Sequence, residues 1–188
     1  MDRLSKGGNM AYRLYISEEA DQSIQRFMPA NRKNRPLNAA SICSVSMLVE
    51  RMLGLSFPPD ICAQFAISSG ATTDSSDISF LAGAISGRFS LRLLLCQEEE
   101  AFELIQHGGK AIIQYHIPSE IPRRYYLFDE IRASSAYIVN PSIQQGKGMP
   151  RNKKRLIQIR DDYMIIPLEH YREFFPENAL YFVFLSQS

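Results

Sequence analysis

A thiol and several hydroxyls gather where a loop turns into an apolar helix: Ala39-Ala40-Ser41-Ile42-Cys43-Ser44-Val45-Ser46-Met47-Leu48-Val49-Glu50-Arg51-Met52-Leu53-Gly54. Val45, Leu48, Val49, Met52 and Leu53 recur at helical spacing, and Gly54 closes the helix as a C-terminal glycine. A cysteine or serine at the head of such a helix meets the positive end of its dipole, which favours the thiolate. Acyl chemistry on that nucleophile also requires a base in hydrogen-bond reach, a group that orients the base, and donors for the oxyanion. The chain has three histidines. His116 ends an apolar strand, and a hairpin through Ile117–Pro122 brings it beside Arg123 or Arg124. Cys43 with His116 is therefore a candidate dyad.

Each of these residues has a plainer reading. Cys43 fits as a small core residue in the first helical turn. Ser41 fits as an N-cap whose hydroxyl accepts a backbone N–H one turn later. His116 fits as a surface residue at a strand end. Cys62 and Cys96 read as core residues, His107 as a helix C-terminal residue favourable to the dipole, and His170 as facing solvent or Glu173. The three cysteines show neither metal-ligand spacing nor a disulfide framework, so no metal or cofactor is expected.

The elements that must position these groups follow from periodicity. Residues 1–36 are polar, with one helix from Ser17 and a basic linker at Asn31-Arg32-Lys33-Asn34-Arg35; residues 37–188 form the main domain. After the Ser41–Leu53 helix, Phe57-Pro58-Pro59-Asp60 starts a second helix with Ile61, Cys62, Phe65 and Ala66 on one face. A third helix turns Ile78, Leu81, Ala82 and Ile85 inward and stops near Gly87. The period then changes. Phe89–Leu95 is a strand, Gln97–Gln106 a helix with Glu98, Glu99 and Glu100 in its first turn, and Lys110–His116 a strand after Gly108-Gly109. Arg124–Ile131 and Ala136–Val139 are strands, Ser142–Arg155 a Gly- and Lys-rich loop, and Leu156–Ile159 and Tyr163–Ile166 short strands. Leu168–Phe175 is a helix and Leu180–Leu185 a final strand. Helices first and an antiparallel sheet after them make the class α+β.

The chain has 188 residues, 45% hydrophobic and 22% charged, with a net charge of +1. That balance argues against a dedicated nucleic-acid binder. No run of roughly 18 apolar residues exists, so no membrane span is expected. Arg3 and Lys6 are not followed by an apolar segment, so no cleaved secretory signal is read. The expected setting is the cytoplasm, or secretion without a cleaved signal peptide.

The order of elements over residues 37–186 resembles the C39-like peptidases, a branch of the papain-like cysteine peptidases. That family has a nucleophile loop opening a helix that ends in Leu-Gly, matched here by Ala40–Gly54. Two helices, a strand, a helix ending in Gly-Gly and an apolar strand follow, matched by Pro59–Ser86, Phe89–Leu95, Glu98–Gly109 and Lys110–Tyr115. The family's Gly-His-aromatic strand corresponds to Arg124-Tyr125-Tyr126-Leu127-Phe128, and its Asp- or Asn-containing motif to Val139-Asn140-Pro141. The resemblance implies a papain-like fold, with a helical lobe packed on an antiparallel sheet. Counting back from Gly54, it puts Ser41 at the nucleophile position, or Cys43 if the loop is two residues shorter. Tyr125 stands where the family has its histidine and Asn140 where it has the orienting Asp or Asn, while the oxyanion-stabilising Gln has no counterpart.

Tyr125 is a poor base at neutral pH, so the resemblance implies a degenerate site and a peptide- or protein-binding module of adaptor or effector type. Family relatives that lack the cysteine and are attached to toxin exporters bind polypeptide rather than cut it. Arg123, Arg124 and Tyr126 are the candidate binding residues, and Arg151-Asn152-Lys153-Lys154-Arg155 is a second basic loop flanking the expected cleft. Two alternatives stand beside this reading. One is an active thiol enzyme (protease, deamidase or acyltransferase) using Cys43. The other is a scaffold subunit with Phe174, Phe175, Tyr181, Phe182 and Phe184 as interface.

Overall fold

A computed structural model describes residues 13–26, 38–70, 78–116, 124–142, 145 and 149–187. The helices that come first are α1 (Ser17–Gln25), α2 (Ala39–Leu53), α3 (Pro59–Ser68) and α4 (Ser79–Phe89). Then come β1 (Leu91–Cys96), α5 (Glu98–Gln106), β2 (Lys110–Tyr115), β3 (Arg124–Arg132), β4 (Ser135–Val139), α6 (Arg151–Lys154), β5 (Gln158–Arg160) and β6 (Tyr163–Pro167). A 3-10 helix, Leu168–Glu173, and β7 (Leu180–Ser186) complete the order. The expected α+β class holds. Every strand pair is antiparallel, and the seven strands lie in the order β1-β7-β2-β3-β4-β6-β5.

Strand alternation sorts the sheet's side chains into two cores. Ile112, Tyr125, Leu127, Phe182 and Phe184 pack with Ile42, Val45 and Leu48 of α2 and with α3 and α4. Their chain neighbours Ile113, Tyr126, Phe128, Tyr181 and Val183 pack on the opposite face with Ala101 and Ile105 of α5 and with Tyr171 and Phe175. The molecule is thus layered as helices, sheet, and a thinner cover of α5 and the 3-10 helix. Ile24 of α1 lies in the first core, and Ser17 N–H donates to the Pro141 carbonyl at 2.6 Å, tying the start of α1 to the end of β4.

Several boundaries differ from the sequence expectation for identifiable reasons. The helix expected from Ser41 begins at Ala39 because Asn38 caps it, its side chain accepting from Ser41 N–H at 3.1 Å. Ser41 is therefore not the cap; its hydroxyl donates to the Asn38 carbonyl at 2.8 Å. On α3, Cys62 and Ala66 point inward as expected, but Ile61 is exposed and Phe65 only half-buried. Lys-rich residues 151–154 form a turn of helix rather than loop, and the last helix is 3-10 rather than α. Phe175, Tyr181, Phe182 and Phe184 are buried, so the aromatic C-terminal region is core and not interface. The linker at 31–35 and the loop at 117–122 lie outside the described residues.

A buried charge cluster locks α2 to the sheet. Asp129 is the extra residue of a β-bulge in β3, where the pairing with β4 shifts between Phe128 and Glu130. Its carboxylate receives Lys110 Nζ of β2 at 2.5 Å, the Tyr163 hydroxyl of β6, and Arg51 Nη1 of α2 at 3.4 Å. The Arg51 guanidinium also lies 5.2 Å above the Tyr163 ring. Next to Arg51, the buried Glu50 accepts from the Tyr15 hydroxyl and from Phe57 N–H, both at 2.8 Å. Removing the carboxylate strands the buried Arg51 guanidinium and unpairs the partly exposed Lys110 ammonium. Asp129→Ala is therefore expected to lose about 3–5 kcal/mol of stability in urea titrations. A loss below about 1 kcal/mol would show that water reaches the cluster.

Candidate functional site

The candidate nucleophiles sit in the first two turns of α2, where the layer between helix and sheet is driest. Cys43 is wholly buried, and Ser41 nearly so. Because α2 begins at Ala39, Cys43 stands in the second turn, beyond the free amides that carry most of the dipole's pull. Burial pushes the Cys43 thiol up to about 12, and the nearby Cys62 of α3 adds to the shift. Burial also pushes Cys62 up to about 12, against a smaller opposite pull from the Ser46 hydroxyl. A thiol in this setting is protonated at neutral pH and a weak nucleophile.

Across from α2, Tyr125 is buried in the same core cluster as Ile42, Val45 and Leu48. Its ladder partner is Gln114 of β2, whose side-chain oxygen accepts from Ile78 N–H at 3.2 Å. Gln114 is a buried polar residue that the sequence reading passed over. Its signal was there: one amide inside the apolar run Ala111-Ile112-Ile113-Gln114-Tyr115, at an inward-facing register.

The Tyr115–Arg124 pair closes the described part of the β2–β3 ladder, and His116 follows it, exposed. This histidine is in water while Cys43 is sealed, and the hairpin expected to place it beside Arg123 or Arg124 lies outside the described residues. Arg123 lies outside the described residues. Arg124 is half-buried, and its charge beside the Tyr115 phenol opposes part of the upward shift that burial imposes there.

Tyr126 points to the opposite face from Tyr125, stacked on Tyr115 with centroids 5.8 Å apart and edge-on to Phe175 at 5.1 Å. Burial and the neighbouring Tyr126 hydroxyl push the Tyr115 phenol upward. Alternation therefore splits the three candidate residues of β3: Tyr125 faces α2, and Tyr126 belongs to the aromatic core under α5.

Asn140 closes β4 but orients no ring. Its side-chain oxygen accepts from Ser142 N–H at 2.9 Å in an Asx turn, and its backbone N–H and carbonyl are clasped by the Gln145 amide at 2.9 and 2.7 Å. The other histidines are also engaged locally. The His107 ring meets the Glu103 carbonyl at 2.7 Å, and His170 meets Glu169 at 3.6 Å rather than Glu173. Glu98, in the first turn of α5, is half-buried and pairs with Arg172 at 3.2 Å. Among the described residues no cluster of His, Cys, Asp and Glu could hold a metal ion, and no helix is long and apolar enough to cross a membrane.

The arrangement offers a thiol buried in α2 beside Cys62 of α3, an amide and a phenol paired on the sheet, and a half-buried arginine and an exposed histidine at the sheet end. It can pack and hydrogen-bond; it does not supply an ionised sulfur. No protein-family model and no curated protein sequence matches the chain.

Both buried thiols bear on stability at high pH. Their folded-state values lie above the ordinary 9.0, so folding retains protons that the unfolded chain releases. The stability linked to them is complete below pH 9 and declines as pH rises towards 12. Iodoacetamide labelling at neutral pH is expected to spare Cys43 and Cys62 until urea unfolds the chain. The urea midpoint should fall less steeply above pH 9 in a Cys43→Ala/Cys62→Ala variant than in the parent. Rapid labelling of folded Cys43 near neutrality would show an activated thiol instead.

Proposed function

We propose that this chain is a papain-like domain of the C39 type that binds polypeptide without cutting it. The observation that carries this reading is the sealed, protonated state of the thiol at the head of α2. A cysteine peptidase needs that sulfur ionised and open to a carbonyl carbon. Here Tyr125 fills the layer facing α2, where the family's general base would stand, and Asn140 is committed to its own turn. The order of elements, with helices packed on an antiparallel sheet and α2 ending at Gly54, supports the papain-like assignment.

In this reading the sheet end carrying Arg124 receives the partner. A half-buried arginine beside the Tyr115 phenol is a donor suited to a carboxylate or a main-chain carbonyl. Tyr126 contributes indirectly, by stacking on the tyrosine that Arg124 lies beside. Arg123 belongs to the same basic end by sequence.

The test is to pass a proteome-derived peptide library over the immobilised chain and to sequence bound and unbound peptides by mass spectrometry. The expected result is capture of full-length peptides, weakened about tenfold by Arg124→Glu. New peptide termini that depend on Cys43 would establish a thiol enzyme in its place.

A further inference from the structure

The far edge of the sheet carries an open strand beside a run of cations. β5 is the terminal strand; it pairs only with β6 among the described residues, so one row of its N–H and C=O groups has no neighbouring strand. All three of its residues are exposed, including Ile159 at 44%. Native edges are commonly kept short and charged, and this three-residue strand bordered by cations is both.

α6 runs directly into it. Lys153 anchors that turn, donating to the Glu173 carbonyl at 2.7 Å and lying over the Phe174 ring. Arg151, Lys154 and Arg155 are exposed and make no ion pair with a described residue. Arg160 is 79% exposed, with only Asp161 beside it at 3.8 Å. Against these cations stand Asp161 and Asp162, confined to the hairpin tip.

We propose that the β5 edge and α6 together form a docking surface for an extended acidic peptide segment of a partner protein, which adds a strand to the sheet. The main chain of β5 supplies directional hydrogen bonds, Ile159 an apolar contact, and Arg151, Lys154, Arg155 and Arg160 the charge complementarity. A peptide fits better than a nucleic acid because a strand edge reads peptide groups, and because the two aspartates at the tip repel a continuous phosphate chain while merely fixing which way a peptide runs. The inference rests on the polypeptide-binding reading but uses a different surface from the Arg124 end.

The experiment is a fluorescence-anisotropy titration of the full chain with a short labelled peptide of alternating glutamate and valine. The same peptide N-methylated throughout, which keeps its charges and has no main-chain donors, serves as comparison. The expected result is saturable binding that weakens about tenfold or more in Arg155→Glu/Arg160→Glu and on N-methylation. Arg92→Glu, an exposed arginine on the opposite edge strand, should leave it unchanged.

Equal binding of the methylated peptide, equal loss in Arg92→Glu, or no binding at all would overturn the proposal. So would tighter binding of oligothymidylate, or a dimer of the chain that Arg155→Glu dissolves. Failure here leaves the peptide-capture result at Arg124 standing, since that variant does not touch this edge.

Discussion

Two adjacent charged residues, buried in the last turn of α2, hold the helical layer and the sheet in register. Glu50 reaches one way, to the segment before α1 and to the start of α3, and Arg51 reaches the other way, into the sheet. Neither could be buried alone, because an uncompensated charge in a dry interior is strongly unfavourable. Asp129, Lys110 and Tyr163 meet that requirement from three different strands. The cluster therefore acts as a constraint on geometry more than as a source of net stability: it admits one rotation of α2 and one register of β3 against β2. That same rotation aims Cys43 at α3 and Tyr125 at α2, which is why the thiol is sealed rather than presented.

Much of this architecture was legible in the chain. Val45, Leu48 and Val49 at helical spacing, and Ile112, Leu127 and Phe182 alternating with their neighbours, mark faces that must be buried, and the structure buries them. The glycine closing α2 takes the left-handed conformation its position requires, with φ 65°. What escaped reading depended on distant contacts. Asp129 stands in a charged run with Glu130 and Arg132 that resembles a solvated strand end, and only the bulge turns it inward. The β3–β4 turn at Ala133-Ser134 has positive φ at both residues without the usual Asn or Gly, so no local signal announces it. Asn38 as the helix cap was hidden by the more conspicuous Ser41.

The candidate site was legible as a set of residues and not as an environment. Sequence places Cys43 at a helix head, Tyr125 on a facing strand and Asn140 after the next one. Whether a thiol there ionises depends on two residues of helix added at its start and on how tightly α3 covers it, and neither has a local signature. Strand alternation, by contrast, could have separated Tyr125 from Tyr126 from the outset, since neighbours on a strand cannot share a face.

The last strand in the chain is not the last in the sheet. β7 lies between β1 and β2, pairing with both. Without residues 180–186, β1 has no strand beside it among the described residues and cannot join the other five strands. Both cores draw on this strand, through Phe182 and Phe184 on one face and Tyr181 and Val183 on the other. That couples the closure of both cores to one strand that is distant in sequence from its β1 and β2 partners, a non-local pairing of the kind that slows folding.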